Sequence, residues 1–225
     1  MRVLLPAAAC LSALMPLPAA AEEDGQAWVA ATASGPVRGD LFLWLEGQAR
    51  LTDEFGGGLQ TIVRPAIGAR IAPDAHAIAG YAWVRTDPEN GQTTNEHRLW
   101  QQVQFVPVRH AGQPLVISRT RLEQRMLEGR EDTGWRLRQF VRAQVPVGRE
   151  GAGLQLVGWT EAFVNLNRTD WGARPGLDQW RNFVGIGLPV GERARIEPGY
   201  MNQHVYRAGE DRTNHILSTT LFYRF

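Results

Sequence analysis

Lysine is absent from this sequence of 225 residues, and cysteine occurs once, as Cys10. All basic residues are therefore arginines, and acidic residues balance them so nearly that the formal net charge is +1. A nucleic-acid-binding surface needs an excess of positive charge, so the composition predicts no nucleic-acid partner. Apolar runs are also short. Beyond residue 21, none approaches the roughly 20 residues that a membrane-spanning helix requires.

The first part of the chain has the pattern of a secretory signal peptide. One early arginine precedes an alanine-rich apolar stretch, which ends in three alanines before an acidic cluster. We therefore predict a cleaved signal peptide at 1–21, an N-terminal segment at 22–39 that could supply an extra strand, and a single domain at 40–225. Because Cys10 lies within the signal, the remaining chain has no disulfide, no thiol nucleophile and no cysteine metal ligand.

Polar and apolar residues alternate with a period of two through most of the chain. In the stretch RTRLEQRM, from Arg119 to Met126, arginine and glutamate occupy one set of alternate positions, and Leu122 lies in the other. A helix would scatter these charges around its circumference, whereas a β-strand places them on one face. The alternating stretches are 11 to 14 residues long. Strands in soluble proteins typically have about 5 or 6 residues, whereas roughly 9 to 11 residues cross a bilayer at a tilt.

Two interpretations differ in which face of these strands is the interior. A soluble periplasmic ligand-binding barrel of the lipocalin type would turn its apolar face inward, whereas a transmembrane barrel turns that face to lipid and the charged face to its lumen. The apolar faces form continuous rows, and the polar faces combine arginine with glutamate and glutamine. We therefore predict an all-β, antiparallel up-and-down transmembrane β-barrel of ten strands in the bacterial outer membrane, with twelve strands as the alternative. The segment 26–32 would be an eleventh strand and would break the even count.

The connections and the last strand agree with this topology. Compact turns alternate with more polar connections, as expected for a bacterial barrel with short periplasmic turns and longer external loops. The chain ends in mid-strand, with apolar or aromatic residues at the alternate positions Leu221, Tyr223 and Phe225. This ending resembles the terminal recognition signal of outer-membrane barrels. The resemblance implies the barrel-assembly machinery, outer-membrane lipid and lipopolysaccharide as partners; the oligomeric state is not predicted.

Some longer stretches are specific enough to compare with known families. The most specific are NEHRLWQQ at 95–102 and RTRLEQR at 119–125. The others are RPAIGAR at 64–70, GYAW at 80–83, RLR at 136–138, LDQWRNFVGIGL at 177–188, GYMNQ at 199–203 and NHIL at 214–217. Together they resemble the domain-of-unknown-function 2490 family of predicted bacterial outer-membrane β-barrel proteins. The resemblance implies a location and a fold, and it implies no reaction.

One set of charged residues shares the predicted inner face of neighbouring strands. It comprises Arg98, Arg119, Arg121, Glu123, Arg125, Arg136, Arg138, Arg142 and Glu161. Because bidentate arginine suits carboxylate and phosphate, the set could line a site or pathway for anionic solutes. The alternative is a salt-bridge network that fills a narrow lumen. Eight strands already fill with side chains and wide channels need roughly 16, so about ten strands favour the network.

A second set lies near the predicted external rim and comprises Glu96, His97, His204, Asp211 and His215. Histidine and carboxylate are competent metal ligands and could also form an acid–base pair. The simpler interpretation is interfacial, with the histidines bonding lipopolysaccharide and water. We predict no metal, no cofactor and no catalytic residue. A serine lipid hydrolase of this membrane would need a histidine two residues before a serine on one strand face, and no His-x-Ser occurs.

The predicted function is an outer-membrane β-barrel with a charged, largely filled lumen and a structural, binding or narrow-pore role. Two alternatives remain open. One is an outer-membrane lipid-modifying enzyme, and the other is a soluble periplasmic ligand-binding barrel.

Overall fold

The computed structural model describes residues 22–52, 57–108, 115–148 and 153–225. The predicted signal peptide at 1–21 lies outside the described residues. Within the four described ranges the secondary structure consists of β-strands, and no helix is long and apolar enough to cross a membrane. The strands are β1 (Glu22–Arg38), β2 (Leu41–Thr52), β3 (Gly58–Ala72), β4 (Ala75–Asp87), β5 (Thr94–Val108), β6 (Leu115–Leu127), β7 (Thr133–Pro146), β8 (Gln155–Asn165), β9 (Gly176–Val190), β10 (Ala194–Val205) and β11 (Arg212–Arg224).

These eleven strands of the described chain close into a barrel, in which each pairs with its neighbour in sequence in antiparallel orientation. The closing pair is β1 with β11, and it is parallel, in a register from Glu22 opposite Arg212 to Ser34 opposite Arg224. An odd number of up-and-down strands leaves the first and last strands pointing the same way, so they can pair only in parallel. The predicted all-β up-and-down barrel is confirmed.

The strand β1 accounts for the difference between the ten strands predicted and the eleven observed. The sequence places 26–32 outside the even count, but the structure includes this segment in β1, which pairs with β2 on one side and β11 on the other. An all-antiparallel barrel requires an even number of strands. A parallel closing pair removes that requirement, and the N-terminal segment at 22–39 therefore completes the wall.

Side chains alternate between the two faces of the wall, as the pleat of a strand requires. In β7, Arg136, Arg138 and Phe140 are buried in the interior, whereas Leu137 and Val141 are exposed on the outer face. The same alternation exposes large apolar side chains on the outer face of most strands, among them Val29, Leu43, Val63, Ile67, Leu99, Val103, Leu156, Val184, Leu217 and Leu221. The outer face is thus apolar, and the inner face carries the charges.

Apolar side chains also occupy the interior, in two clusters beside the charged residues. The first combines Trp28, Val157, Phe183, Met201 and Ile216 with Trp159, and the second combines Ala66, Ile78, Ala82 and Trp100 with Phe42 and Trp44. Gly80 makes room for the second cluster, because a Cβ atom there would lie 2.5 Å from Cζ2 of Trp100. Rings therefore fill part of the cross-section that a channel would leave open.

The two ends of the barrel carry different connections. The end that we call the upper rim carries 88–93, 128–132, 166–175 and 206–211, and the end that we call the lower rim carries the turns at 39–40, 73–74 and 191–193. At the upper rim, β1 begins with Glu22. At the lower rim, the N–H of Phe225 donates to the carbonyl oxygen of Ser34 at 3.1 Å, so the end of the chain is hydrogen-bonded to β1.

Candidate functional site

The inner-face charges singled out from sequence come together on four consecutive strands, β5 to β8. Arg98 lies on β5 and Glu161 on β8, and the rest of the set lies on β6 and β7. All of them point inward with buried or half-buried side chains. The strand register places Glu123 of β6 opposite Arg136 of β7. Alternation along each strand stacks charges in ladders, and neighbouring ladders meet side by side.

Glu123 is the centre of this network. Its side chain is 1 % exposed. One carboxylate oxygen accepts a hydrogen bond from Nη2 of Arg136 at 2.7 Å, and the other accepts from Nη1 of Arg138, also at 2.7 Å. Nη1 of Arg121 lies 3.6 Å from the second oxygen. One carboxylate therefore serves three guanidinium groups.

Arg138 joins Glu123 to a second buried carboxylate, Glu161. Its Nη2 atom donates to both oxygens of Glu161, at 2.8 and 2.9 Å, and Nη2 of Arg119 donates to the same carboxylate at 2.9 Å. Charge-assisted hydrogen bonds of this kind fix the geometry of both partners. The network therefore runs without a break across β6, β7 and β8.

Glu96 belongs to this interior network. Its carboxylate accepts from Nε and Nη2 of Arg98 at 2.8 and 2.7 Å, and from Nε and Nη2 of Arg125 at 2.5 and 3.1 Å. The sequence grouped Glu96 with the rim histidines because it precedes His97. Successive residues of a strand point to opposite faces, so the two side chains are separated by the barrel wall.

Several members of the interior network were missed from sequence. Arg64 pairs with Glu46 at 2.6 Å, and Arg142 pairs with Glu197 at 2.5 Å. Asp178 lies 3.5 Å from Nη1 of Arg136. Glu197 and Asp178 lie on strands with weak alternation, where parity is difficult to read from sequence. The inward parity of Arg64 in β3 was the one signal that could have been used.

Aromatic rings cover the guanidinium groups on their other sides. The Cζ atom of Arg121 lies 4.1 Å from the ring centroid of Trp100, and that of Arg119 lies 4.1 Å from the ring of Phe140. The ring of Phe163 is contacted in the same way by Arg138, at 4.5 Å. Such contacts are attractive and stronger when water is excluded. The interior is therefore a packed arrangement of charges and rings.

The rim histidines lie on the outer face, on two separate parts of the wall. On β5, Nδ1 of His97 is 2.5 Å from the hydroxyl of Tyr81, and Nε2 is 2.9 Å from a carboxylate oxygen of Glu128. The hydrogen bonds from His97 and from Asn95 hold the pKa of the Glu128 carboxyl below its usual value. Glu128, which the sequence did not single out, is thus the carboxylate partner of His97.

On the other part of the wall, β10 and β11 carry the remaining histidines. Nε2 of His204 is 3.2 Å from Asp211. The backbone N–H of Arg207, aided by His204, holds the pKa of Asp211 below its usual value. Nδ1 of His215 is 2.6 Å from the hydroxyl of Tyr200. The histidine on β5 is therefore in a different place from the pair on β10 and β11.

The rim set does not form one site. Among the described residues there is no group of three or more histidine, cysteine, aspartate or glutamate side chains placed to hold a metal ion. His215 points outward, whereas Ser218 has the opposite parity in β11 and points inward. These two residues therefore cannot act together as a nucleophile and its base. What the rim offers is hydrogen-bonding capacity at the upper end of an apolar surface.

Comparison with known proteins agrees with this architecture along nearly the whole barrel. A model of the family described as "Protein of unknown function (DUF2490)" matches residues 25–214. The "Uncharacterized protein MexAM1_META1p0181" of Methylorubrum extorquens is 38% identical over 204 residues, which cover 90% of this chain and 89% of that protein. No solved structure matches the chain. The chain therefore belongs to the DUF2490 family of proteins of unknown function.

Proposed function

We propose that the protein is a bacterial outer-membrane β-barrel whose packed, charged lumen gives it a structural or binding role, with at most a narrow pore. The observation that carries the proposal is the inverted distribution of side chains. Arg121 and Glu123 in the interior are each 1 % exposed, whereas Leu217 and Ile67 on the outside are 62 % and 52 % exposed. A soluble barrel would have the opposite arrangement, and lipid is the solvent in which this one is favourable.

Strand length and aromatic positions support the same proposal. The strands have between 11 and 17 residues, which is enough to cross a bilayer at a tilt with some overhang, since about 9 to 11 residues suffice. Exposed aromatic side chains lie near the ends of strands, such as Trp135 and Tyr206 towards the upper rim and Phe105 and Tyr223 towards the lower rim. Aromatic residues are enriched at both membrane–water interfaces.

The experiment follows the full chain in a Gram-negative host. We expect it to sediment with outer membranes, to stay with them through an alkaline or urea wash, and to migrate faster on gels before boiling than after. Recovery as a monodisperse periplasmic protein without detergent would contradict the proposal and favour the soluble ligand-binding barrel.

The same purified protein then tests the filled lumen. In planar bilayers we expect small, poorly selective currents, because Glu123, Glu161 and Glu96 are saturated with arginine partners and rings pack against them. A large anion-selective conductance in the wild type would make the arginine ladders a transport pathway instead.

The lower rim supports a role for the C-terminal residue in assembly. Besides its backbone bond to Ser34, the side chain of Phe225 packs over Gly35 of β1, where a Cβ atom would lie 2.5 Å from Cδ2 of the phenyl ring. The residue is thus in contact with the strand that closes the barrel. Recognition by the assembly machinery and closure of the wall could both depend on it.

Substituting Phe225→Ala should lower the amount of folded, heat-modifiable protein in the outer membrane, and Phe225→Tyr should leave it nearly unchanged. Gly35→Val separates the two roles. It keeps the terminal phenylalanine but displaces its ring, so a loss confined to Phe225→Ala indicates recognition, and a loss in both indicates packing. Unchanged membrane yield in Phe225→Ala would remove the terminus from the assembly argument.

A further inference from the structure

Three buried donors in the second interior cluster have no hydrogen-bond partner among the described residues. They are Nη1 of Arg121, Nε1 of Trp100 and Nε of Arg64. Arg121 and Trp100 are each 1 % exposed, and Arg64 is 5 % exposed. An unsatisfied buried donor costs free energy, so native structures rarely retain one without an acceptor.

The donors belong to neighbouring side chains. The guanidinium of Arg121 lies 4.1 Å from the ring of Trp100 and 5.8 Å from the ring of Trp44, and the two indole rings meet edge to face at 5.5 Å. Arg64 lies near enough for its charge to repel that of Arg121. Donors of two positive charges and one indole are therefore gathered in one place.

The protein's own acceptors are already used elsewhere. Both Nε and Nη2 of Arg121 donate to the neutral amide oxygen of Gln102, at 2.9 and 2.7 Å, and the nearest carboxylate oxygen, on Glu123, is 3.6 Å from Nη1. That carboxylate already accepts from two other arginines. Glu46, the partner of Arg64, receives only the Nη1 atom of that side chain.

Positive charge also exceeds negative charge around Arg121. Arg138, Arg64 and Arg119 repel it, and Glu123 attracts it. A water molecule could accept from one or two of the donors, but its own protons would then point at cations. An oxyanion has several acceptor atoms and no such conflict, and guanidinium groups bind it with good geometry.

We propose that the interior binds one small oxyanion, a phosphate or a carboxylate, between Arg121, Trp100 and Arg64. The ligand accepts from Nη1 of Arg121, Nε1 of Trp100 and Nε of Arg64 and offsets the surplus positive charge. The site lies inside the wall and does not depend on where the barrel resides in the cell. It therefore goes beyond the function proposed above.

The test measures unfolding of the purified full chain, in detergent if detergent is needed, while phosphate or acetate replaces chloride at constant ionic strength. A ligand that binds only the folded state raises the folding constant about tenfold for each tenfold rise in free ligand above its Kd. We expect this dependence for at least one of the two oxyanions. The comparison of phosphate with acetate then distinguishes the two classes. Equilibrium dialysis of radiolabelled phosphate or acetate should show one bound ion per chain.

The variant Trp100→Phe separates an anion site from a buried imperfection. Phenylalanine keeps a ring over Gly80 and removes only the Nε1 donor and part of the indole. We expect the anion-dependent gain to fall at least tenfold, while folding at the lowest anion concentration is weakened less. Arg142→Gln is the matched control, because Arg142 pairs with Glu197 at 2.5 Å, and it should keep the full gain.

Three outcomes would overturn the proposal. One is a wild type whose stability is the same in phosphate, acetate and chloride. Another is a Trp100→Phe variant that keeps the whole anion-dependent gain. The third is an absence of stoichiometric binding in dialysis of the wild type, which decides the matter even if the variant does not fold. Failure of membrane localisation would leave all three measurements interpretable, so the two proposals fail independently.

Discussion

Replacing Glu123 by glutamine is expected to lower the free energy of unfolding by about 3–5 kcal/mol, the range found when one partner of a buried ion pair is removed. Each carboxylate oxygen of Glu123 accepts from an arginine at 2.7 Å, Arg136 on one side and Arg138 on the other. Glutamine keeps one acceptor, but its amide nitrogen would face a guanidinium donor, and no negative charge would remain. Denaturant-induced unfolding in one fixed detergent measures the loss.

Glu128→Gln provides the matched control, since it makes the same chemical change at the upper rim. The side chain of Glu128 is 53 % exposed and bonds to His97. Exposed substitutions of this kind usually change stability by less than about 0.5 kcal/mol. If Glu123→Gln cost no more than the control, water would have to be serving Arg136 and Arg138, and the interior could not be the packed network described above.

The value of the network to the fold lies in register more than in net stability. A buried ion pair often contributes no more than an apolar pair of the same size. A strand that slips by one residue, however, turns its whole inner set outward. In β6 such a slip would place Arg119, Arg121, Glu123 and Arg125 on the apolar outer face. The charges therefore exclude wrong pairings, which a row of leucines on both faces would not do.

The strands β6 and β7 could be predicted from sequence because charge alternates there without interruption. Every second residue from Arg119 to Arg125 is charged, and the same holds from Arg136 to Arg138. Alternation fixes which residues share a face, and the short connection at 128–132 fixes which strands are neighbours. The ladders of arginine and glutamate follow from those two facts.

Other features depend on geometry that a period of two does not contain. The parallel pairing of β1 with β11 is a long-range contact between the two ends of the chain, so no local pattern announces it. Parity also says nothing about how far a side chain reaches. It could not show that Glu197 on β10 meets Arg142 on β7 across the interior, or that His97 finds its carboxylate in Glu128 of the next connection.

Substituting Leu122 by arginine should be far more damaging than substituting its neighbour Arg121 by leucine. Leu122 lies on the outer face near the middle of β6, and an arginine at the middle of the lipid-facing surface costs about 2–4 kcal/mol. Arg121 donates to the neutral Gln102, and Glu123 keeps Arg136 and Arg138 when Arg121 is removed. No buried charge is then left alone, so the loss should be the smaller of the two. Unfolding in detergent micelles and the yield of membrane-inserted protein measure both.

Depth provides the internal control for this comparison. Leu127 ends β6 at the upper rim, where the cost of an arginine falls to about 0–1 kcal/mol if the outer face is in lipid. Leu127→Arg should therefore be tolerated, and the damage should grow from the rim towards Leu122. If the outer face were in water, Leu122→Arg and Leu127→Arg would both be mild, and Arg121→Leu would be the worst of the three because it disturbs the packed interior. A flat profile along the strand would thus place this wall in water and reject the membrane proposal.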